Sequence, residues 1–147
     1  ITLRVERQCS TALKVAEFLQ TCDEVAEVYY PGLLTHLNHE IAKQQQKFTG
    51  GIVTFDLKVD DKELAIFIVS NTKYFKLAES LGGVKSLCCL PCEMTHKSVP
   101  REKRYSSGVK DSLIRLSVGL EDAEDLIEDL QNVFFLAKQR INSLEEA

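Results

Sequence analysis

No apolar run in this chain approaches the ~20 residues that a membrane-spanning helix requires, so no segment reads as a bilayer span. An extended basic patch is also missing. The one basic cluster, Arg101 to Arg104, is interrupted by Glu102 and belongs to a chain of net charge −4. Nucleic-acid binding normally leaves a basic stripe, so no nucleic-acid partner is expected. No signal-peptide pattern precedes the first amphipathic segment, and the expected location is cytoplasmic. Internal repeats, low-complexity tracts and composition shifts that would mark a domain boundary are lacking.

Cysteine is odd in number: Cys9, Cys22, Cys88, Cys89 and Cys92 in 147 residues. A domain of this size buries roughly 68–70% of the surface its unfolded chain exposes. It needs no disulfides, and reduced thiols are expected. Hydrophobic residues at 44% and charged residues at 27% match ordinary globular usage. One soluble domain is therefore expected. A start at Ile1 rather than Met is expected of a domain, a proteolytic fragment or part of a longer chain.

Ala12, Val15, Ala16 and Leu19 recur at helical spacing, which predicts a long amphipathic helix within residues 1–22. Val25 to Tyr30 reads as a strand stopped by Pro31-Gly32. A second helix is predicted from Leu37 to Gln46. Ile52 to Leu57 alternates apolar and polar as a strand does. Lys62 to Ser70 is a predicted helix with Asp60 or Asp61 free to cap it. Tyr74 to Ala78, Leu87 to Leu90 and Leu113 to Val118 are strand candidates. Residues 121 to 145 form the clearest element: Ala123, Leu126, Ile127, Leu130, Val133, Phe134, Ala137, Ile141 and Leu144 trace one apolar face. Acidic residues at its start and basic residues toward its end complement the helix dipole. These elements predict an α/β fold of the α+β type: a small, mostly antiparallel sheet with hairpin-like late strands, helices on one face and a long C-terminal helix.

Arg115 lies inside Leu113-Ile114-Arg115-Leu116-Ser117-Val118, among residues that should be buried. An arginine there needs an anionic partner, because an unpaired buried charge is costly. Spacing alone favours an internal ion pair over a ligand anchor. Glu79-Ser80-Leu81-Gly82-Gly83 follows a predicted strand, and its two glycines permit backbone conformations closed to other residues. The segment reads either as a ligand-facing loop or as an ordinary connection.

Three blocks stand in order: Ala78-Glu79-Ser80-Leu81-Gly82-Gly83-Val84-Lys85-Ser86-Leu87, Met94-Thr95-His96, and Leu113-Ile114-Arg115-Leu116-Ser117-Val118-Gly119-Leu120-Glu121. Together with Leu13-Lys14-Val15-Ala16 and Tyr29-Tyr30-Pro31-Gly32, they resemble the carboxyl-terminal domain of the cystathionine γ-lyase and γ-synthase family of pyridoxal-phosphate enzymes of fold type I. The resemblance covers nearly the whole chain. It implies that Arg115 holds the substrate's α-carboxylate, that Ser80 and Thr95 frame it with Leu81 beside them, and that Glu79 reads a distal ammonium. It also implies that pyridoxal phosphate is bound by the full-length enzyme and not by this chain alone. The Schiff-base lysine is absent, so no catalytic residue is assigned within these residues.

The activity so implied is cleavage of cystathionine to cysteine, 2-oxobutyrate and ammonia. Cystathionine γ-synthase and β-lyase chemistry are the enzymatic alternatives. A non-catalytic binding or assembly module is the alternative of another class. The implied partners are a cystathionine-like amino acid and the enzyme's own cofactor-binding domain, in a homo-oligomer when full length. Two positions depart from the family pattern: Lys85 and Lys97 add positive charge near the expected pocket mouth.

Ser70-Asn71-Thr72-Lys73-Tyr74 resembles the family's lysine-bearing sequence but lies too close to Glu79, so Lys73 is read as a solvated turn residue. Cys89-x-x-Cys92-x-x-x-His96 has metal-compatible spacing but lacks a fourth ligand, and half-buried thiols are favoured. His36 and His39, at i and i+3 of a predicted helix, are read as surface histidines. No metal is expected.

Overall fold

The computed structural model describes the backbone of residues 1–145 and the side chains of residues 1–143. Ten elements follow one another: α1 (Thr2–Gln20), β1 (Val25–Tyr29), α2 (His39–Gln45), β2 (Ile52–Leu57), α3 (Lys62–Asn71), β3 (Lys76–Leu77), β4 (Leu87–Cys89), α4 (Arg101–Ser106), β5 (Ile114–Ser117) and α5 (Ala123–Glu145). The five strands form one sheet in the order β1-β2-β5-β4-β3. Its pairings are antiparallel except for β3 with β4.

Period-two alternation divides the sheet into a helix-covered face and a polar face. Val53 and Phe55 of β2, Ile114 and Leu116 of β5, and Cys88 of β4 point into the core, and none is more than 1% exposed. They meet Ala12, Val15, Ala16 and Leu19 of α1, Ile68 of α3, and Leu126, Leu130, Val133 and Phe134 of α5. Phe55 and Phe134 pack edge to face with centroids 6.1 Å apart. Burying each such large side chain contributes about 1.5–3 kcal/mol, so the sheet and the helical layer hold each other in register. The apolar stripe of α5 falls where its periodicity predicts, from Ala123 to Ala137. The side chain of Leu144, expected on the same stripe, lies outside the described residues.

Two expectations change, and one element is new. The late strands are not hairpins: β3 and β4 run parallel, with Lys76 opposite Leu87 and Leu77 opposite Cys88. The expected strand from Tyr74 to Ala78 shrinks to two residues because its first amides are already committed. The buried Asp129 carboxylate of α5 accepts from the backbone N–H groups of Lys73 at 2.6 Å, Tyr74 at 2.7 Å and Phe75 at 3.2 Å. A short helix, α4, occupies the basic cluster. Pro100 supplies its N-cap and Gly108, at φ +83°, follows its end. The cluster's charge is answered by Asp111, which accepts from Arg101 Nε at 2.8 Å and Arg104 Nη2 at 2.9 Å. Helix α1 also starts at Thr2, although Leu3 remains exposed.

Asp61, one of the two expected caps, accepts from the Leu64 N–H at 2.7 Å to open α3. Asp60 instead receives the Tyr105 hydroxyl at 2.6 Å and the Ser112 N–H at 3.0 Å, joining α4 to the entry of β5.

Removing the Asp129 carboxylate leaves three peptide N–H groups without acceptors. Asp129→Ala is expected to destabilise the chain by about 3 kcal/mol. Asp129→Asn should retain part of the loss because one amide oxygen still accepts. Urea midpoints at unchanged m-value check both; an alanine variant within error of the parent would refute the assignment.

Candidate functional site

Strand β5 is central in the sheet, and its pleat positions the site. Ile114 and Leu116 anchor in the core, which forces Arg115 and Ser117 onto the opposite face. Arg115 lies across from Thr54 of β2 on one side and Cys89 of β4 on the other. It is half-buried, and its Nε is buried with no hydrogen-bond partner. Its Nη2 donates to the Glu79 carbonyl at 3.4 Å. Among the described residues no carboxylate forms an ion pair with it. The internal ion pair favoured by spacing alone is therefore replaced by a guanidinium with unused donors. A planar fork of that kind suits an anionic ligand presented in two-point fashion.

The Glu79–Gly83 segment carries Arg115's one acceptor. Glu79, Ser80 and Leu81 expose their side chains, Leu81 by 54%. Gly82 sits at φ +74°, a conformation that favours glycine. Its N–H donates to Ser117 Oγ at 2.8 Å, tying the loop to the residue two positions beyond Arg115 on the same face of β5. Thr95 is exposed, and its hydroxyl lies 2.8 Å from His96 Nδ1. Thr95 is also among the groups that act on the Cys89 thiol. Burial pushes that thiol up, while the Arg115 charge and Thr95 pull it back. Arg115 thus lies opposite Cys89 and reaches the Glu79 carbonyl; Ser80 and Leu81 continue outward from Glu79.

The sequence does not single out Ser117, and it marks Cys89 only for its metal-compatible spacing, not as a neighbour of Arg115. A residue two positions from Arg115 in a strand must share its face, so the alternation itself contained the signal for Ser117. Cys89 required knowledge of the strand register.

The same polar face carries a second cluster. Asp56, fully buried, accepts from the Tyr29 hydroxyl at 2.8 Å and pairs with Lys110 Nζ at 3.1 Å. Burial and the Asp56 carboxylate push the Tyr29 hydroxyl up. The hydrogen bond to Asp56, backed by the carboxylate's charge, raises Lys110.

Lys85 is exposed at the loop, but Lys97 faces Glu93 at 3.6 Å, so the charge it adds is compensated. Lys73 is exposed, with its Nζ 5.1 Å from the Tyr74 ring centroid. Imine formation calls for a desolvated lysine, and Lys73 does not fit. Cys92 Sγ donates to the Asp111 carbonyl at 3.3 Å, away from Cys89 and His96. His39 opens α2 with Nδ1 2.9 Å from the Pro31 carbonyl oxygen, whereas His36 precedes that helix and accepts the Asn38 N–H at 3.1 Å. Among the described residues no three His, Cys, Asp or Glu side chains converge on a metal position, and no helix is long and apolar enough to cross a membrane.

All five thiols are free. Burial is the main cause that pushes Cys22 and Cys88 up to about 11. A thiol reagent at pH 8 is expected to modify the half-buried Cys22 slowly and to leave Cys9, Cys88, Cys89 and Cys92 protected until denaturant is added. Rapid titration of all five in native buffer would contradict this packing.

The profile of the family described as Cys/Met metabolism PLP-dependent enzymes matches residues 1–135. Cystathionine beta-lyase of Lactococcus lactis subsp. cremoris is 51% identical over 131 residues, covering 89% of this chain and 34% of that protein. Cystathionine gamma-lyase of Bacillus subtilis is 47% identical over 128 residues, covering 87% of this chain and 33% of the relative. The crystal structure of cystathionine gamma synthase from Xanthomonas oryzae pv. oryzae in complex with cystathionine superposes with a TM-score of 0.87 at 40% identity, covering 94% of this chain and 35% of that one. The chain therefore spans about a third of the length of the curated relatives it matches.

Proposed function

This chain belongs to the Cys/Met metabolism PLP-dependent enzymes, and from that premise we propose that it is the carboxyl-terminal, substrate-side domain of a cystathionine-cleaving lyase. The observation that carries the reading is Arg115: a central-strand guanidinium with no carboxylate partner among the described residues and a buried, unsatisfied Nε. The amino-acid substrate's α-carboxylate supplies the missing acceptors. Ser80 and Thr95 frame that carboxylate, Leu81 borders it, and Glu79 attracts the distal ammonium of cystathionine. Exposure of the Glu79 side chain leaves it free for that role.

Relatives named β-lyase, γ-lyase and γ-synthase all match, and their identities of 51%, 47% and 40% follow no order that separates their chemistries. The reading favours γ-cleavage, to cysteine, 2-oxobutyrate and ammonia, with β-cleavage and γ-replacement as its competitors. Product analysis separates them: with cystathionine, 2-oxobutyrate marks γ-cleavage and pyruvate with homocysteine marks β-cleavage, whereas cystathionine formed from cysteine and an activated homoserine marks γ-replacement.

The residues present fit a substrate carboxylate rather than the cofactor, since the one lysine in a resembling sequence, Lys73, is solvated. Pyridoxal phosphate supplies the electron sink for carbanion chemistry when bound. Its binding residues are assigned to the remainder of a longer enzyme. This chain's contribution is to bind and orient the substrate. Exposed Leu34 at 85%, Leu37 at 95% and Ile41 at 54% support a further packing surface for that remainder or for a second copy. The full enzyme is read as a cytoplasmic homo-oligomer.

In the full enzyme, Arg115→Ala is expected to raise KM for cystathionine by about 10²-fold, the loss of charge-assisted hydrogen bonds of ~1.5–3 kcal/mol each. Arg115→Lys should recover only part of it, because an ammonium does not reproduce the planar fork. Unchanged KM in the alanine variant would remove Arg115 from the substrate site.

A further inference from the structure

We propose that Glu121 is a positioning residue: it clamps Ser86 and thereby holds the Glu79–Lys85 loop against Arg115 in the geometry that binds substrate. The inference deepens the carboxylate-anchor reading and rests on it.

The loop projects seven exposed or mostly exposed residues, 79 to 85, yet both faces of its base are tied down. Ser86 closes it and is fully buried. Its N–H donates to Glu121 Oε1 at 2.9 Å and its hydroxyl to Glu121 Oε2 at 2.6 Å. The same hydroxyl accepts the Gly119 N–H at 2.8 Å. One carboxylate thus takes two donors from a single residue, and charge-assisted bonds of this kind are shorter and stronger than neutral ones. The neighbouring backbone is drawn in as well. Leu120 N–H donates to the Val84 carbonyl at 2.9 Å, and Gln8 Nε2 donates to the Gly83 carbonyl at 2.6 Å.

Gly119 lies so close that a Cβ there would collide with the Val84 carbonyl oxygen and come within 2.6 Å of the Lys85 carbonyl carbon. Residues 119–121 and 84–86 are therefore packed backbone to backbone, with Glu121 joining them. The effect reaches Arg115 by two routes. The loop supplies the Glu79 carbonyl that receives Arg115 Nη2, and Gly82 binds Ser117 on the same face of β5. Without the clamp, the loop loses its fixed base, and the Glu79 carbonyl and Ser80 lose their fixed relation to the guanidinium. Glu121 touches neither substrate nor cofactor in this account.

The test compares Glu121→Ala, Glu121→Gln and Arg115→Ala in the full enzyme, with cystathionine as substrate and amide hydrogen exchange as a second readout. Glu121→Ala is expected to raise KM about tenfold with kcat within about twofold, and to speed exchange at Gly82 and Ser86 while Leu130 in α5 stays protected. Glu121→Gln keeps one carbonyl acceptor for the Ser86 N–H and should restore most of the KM. If Glu121→Ala exchanges faster in the loop but leaves KM unchanged, the clamp is structural only and the proposal fails. Faster exchange throughout α5, with no rescue by glutamine, also overturns it. If Arg115→Ala leaves KM unchanged, it is the carboxylate-anchor reading that fails, whatever Glu121 does.

Discussion

A strand that buries alternate side chains has no freedom over where the others point, and in β5 that constraint governs everything above the sheet. Ile114 and Leu116 are buried to 1% exposure or less and are flanked by paired strands on both sides. A one-residue slip would carry both into the polar layer and put Arg115 in the core. The cost of that exchange, two large apolar side chains exposed and one charge buried unpaired, excludes it. Arg115 is therefore positioned by its apolar neighbours. Its own polar contacts remain sparse, as the proposed role of carboxylate anchor requires.

The same economy applies to the loop beside it. Two carboxylates from the C-terminal part of the chain hold the two ends of the segment between Lys73 and Ser86. Asp129 gathers three amides before β3, and Glu121 gathers the donors of Ser86 after the loop. Because α5 carries Asp129 and is packed on α1 and α3 through a continuous apolar stripe, the rigidity of the helical layer is transmitted to the loop beside Arg115 on the other side of the sheet. Rigid support of a mobile-looking loop is how a site on a connection can hold its geometry.

Periodicity exposed the elements that bury one face: the stripe of α5, the alternation in β2 and the helix from Ala12 onward. Arg115 was conspicuous for the opposite reason, as a charge inside an apolar strand. Local pattern failed where a partner distant in sequence decides the outcome. Asp129 looks like any acid on the polar side of a helix, and nothing near it in sequence announces the amides of residues 73–75. Those amides in turn shortened β3, and the parallel β3–β4 pairing depends on a loop that detours past Ser117. The internal ion pair expected for Arg115 failed for the same reason, since whether a carboxylate lies nearby is a property of the packed chain.

The pairing of β2 with β5 joins residues about sixty positions apart. Closing a loop of that length costs about 3–4 kcal/mol of chain entropy before any contact repays it, and contacts this distant slow folding. Until β5 arrives, β2 has only β1 beside it, and its inner edge, with Val53 and Phe55, stays open to pairing with another chain. During synthesis the ribosome must release the segment through Ser117 before that edge can close. The face that carries Arg115 thus comes into being late, and any shortage of folding assistance would be felt first as strand-edge aggregation rather than as a damaged site.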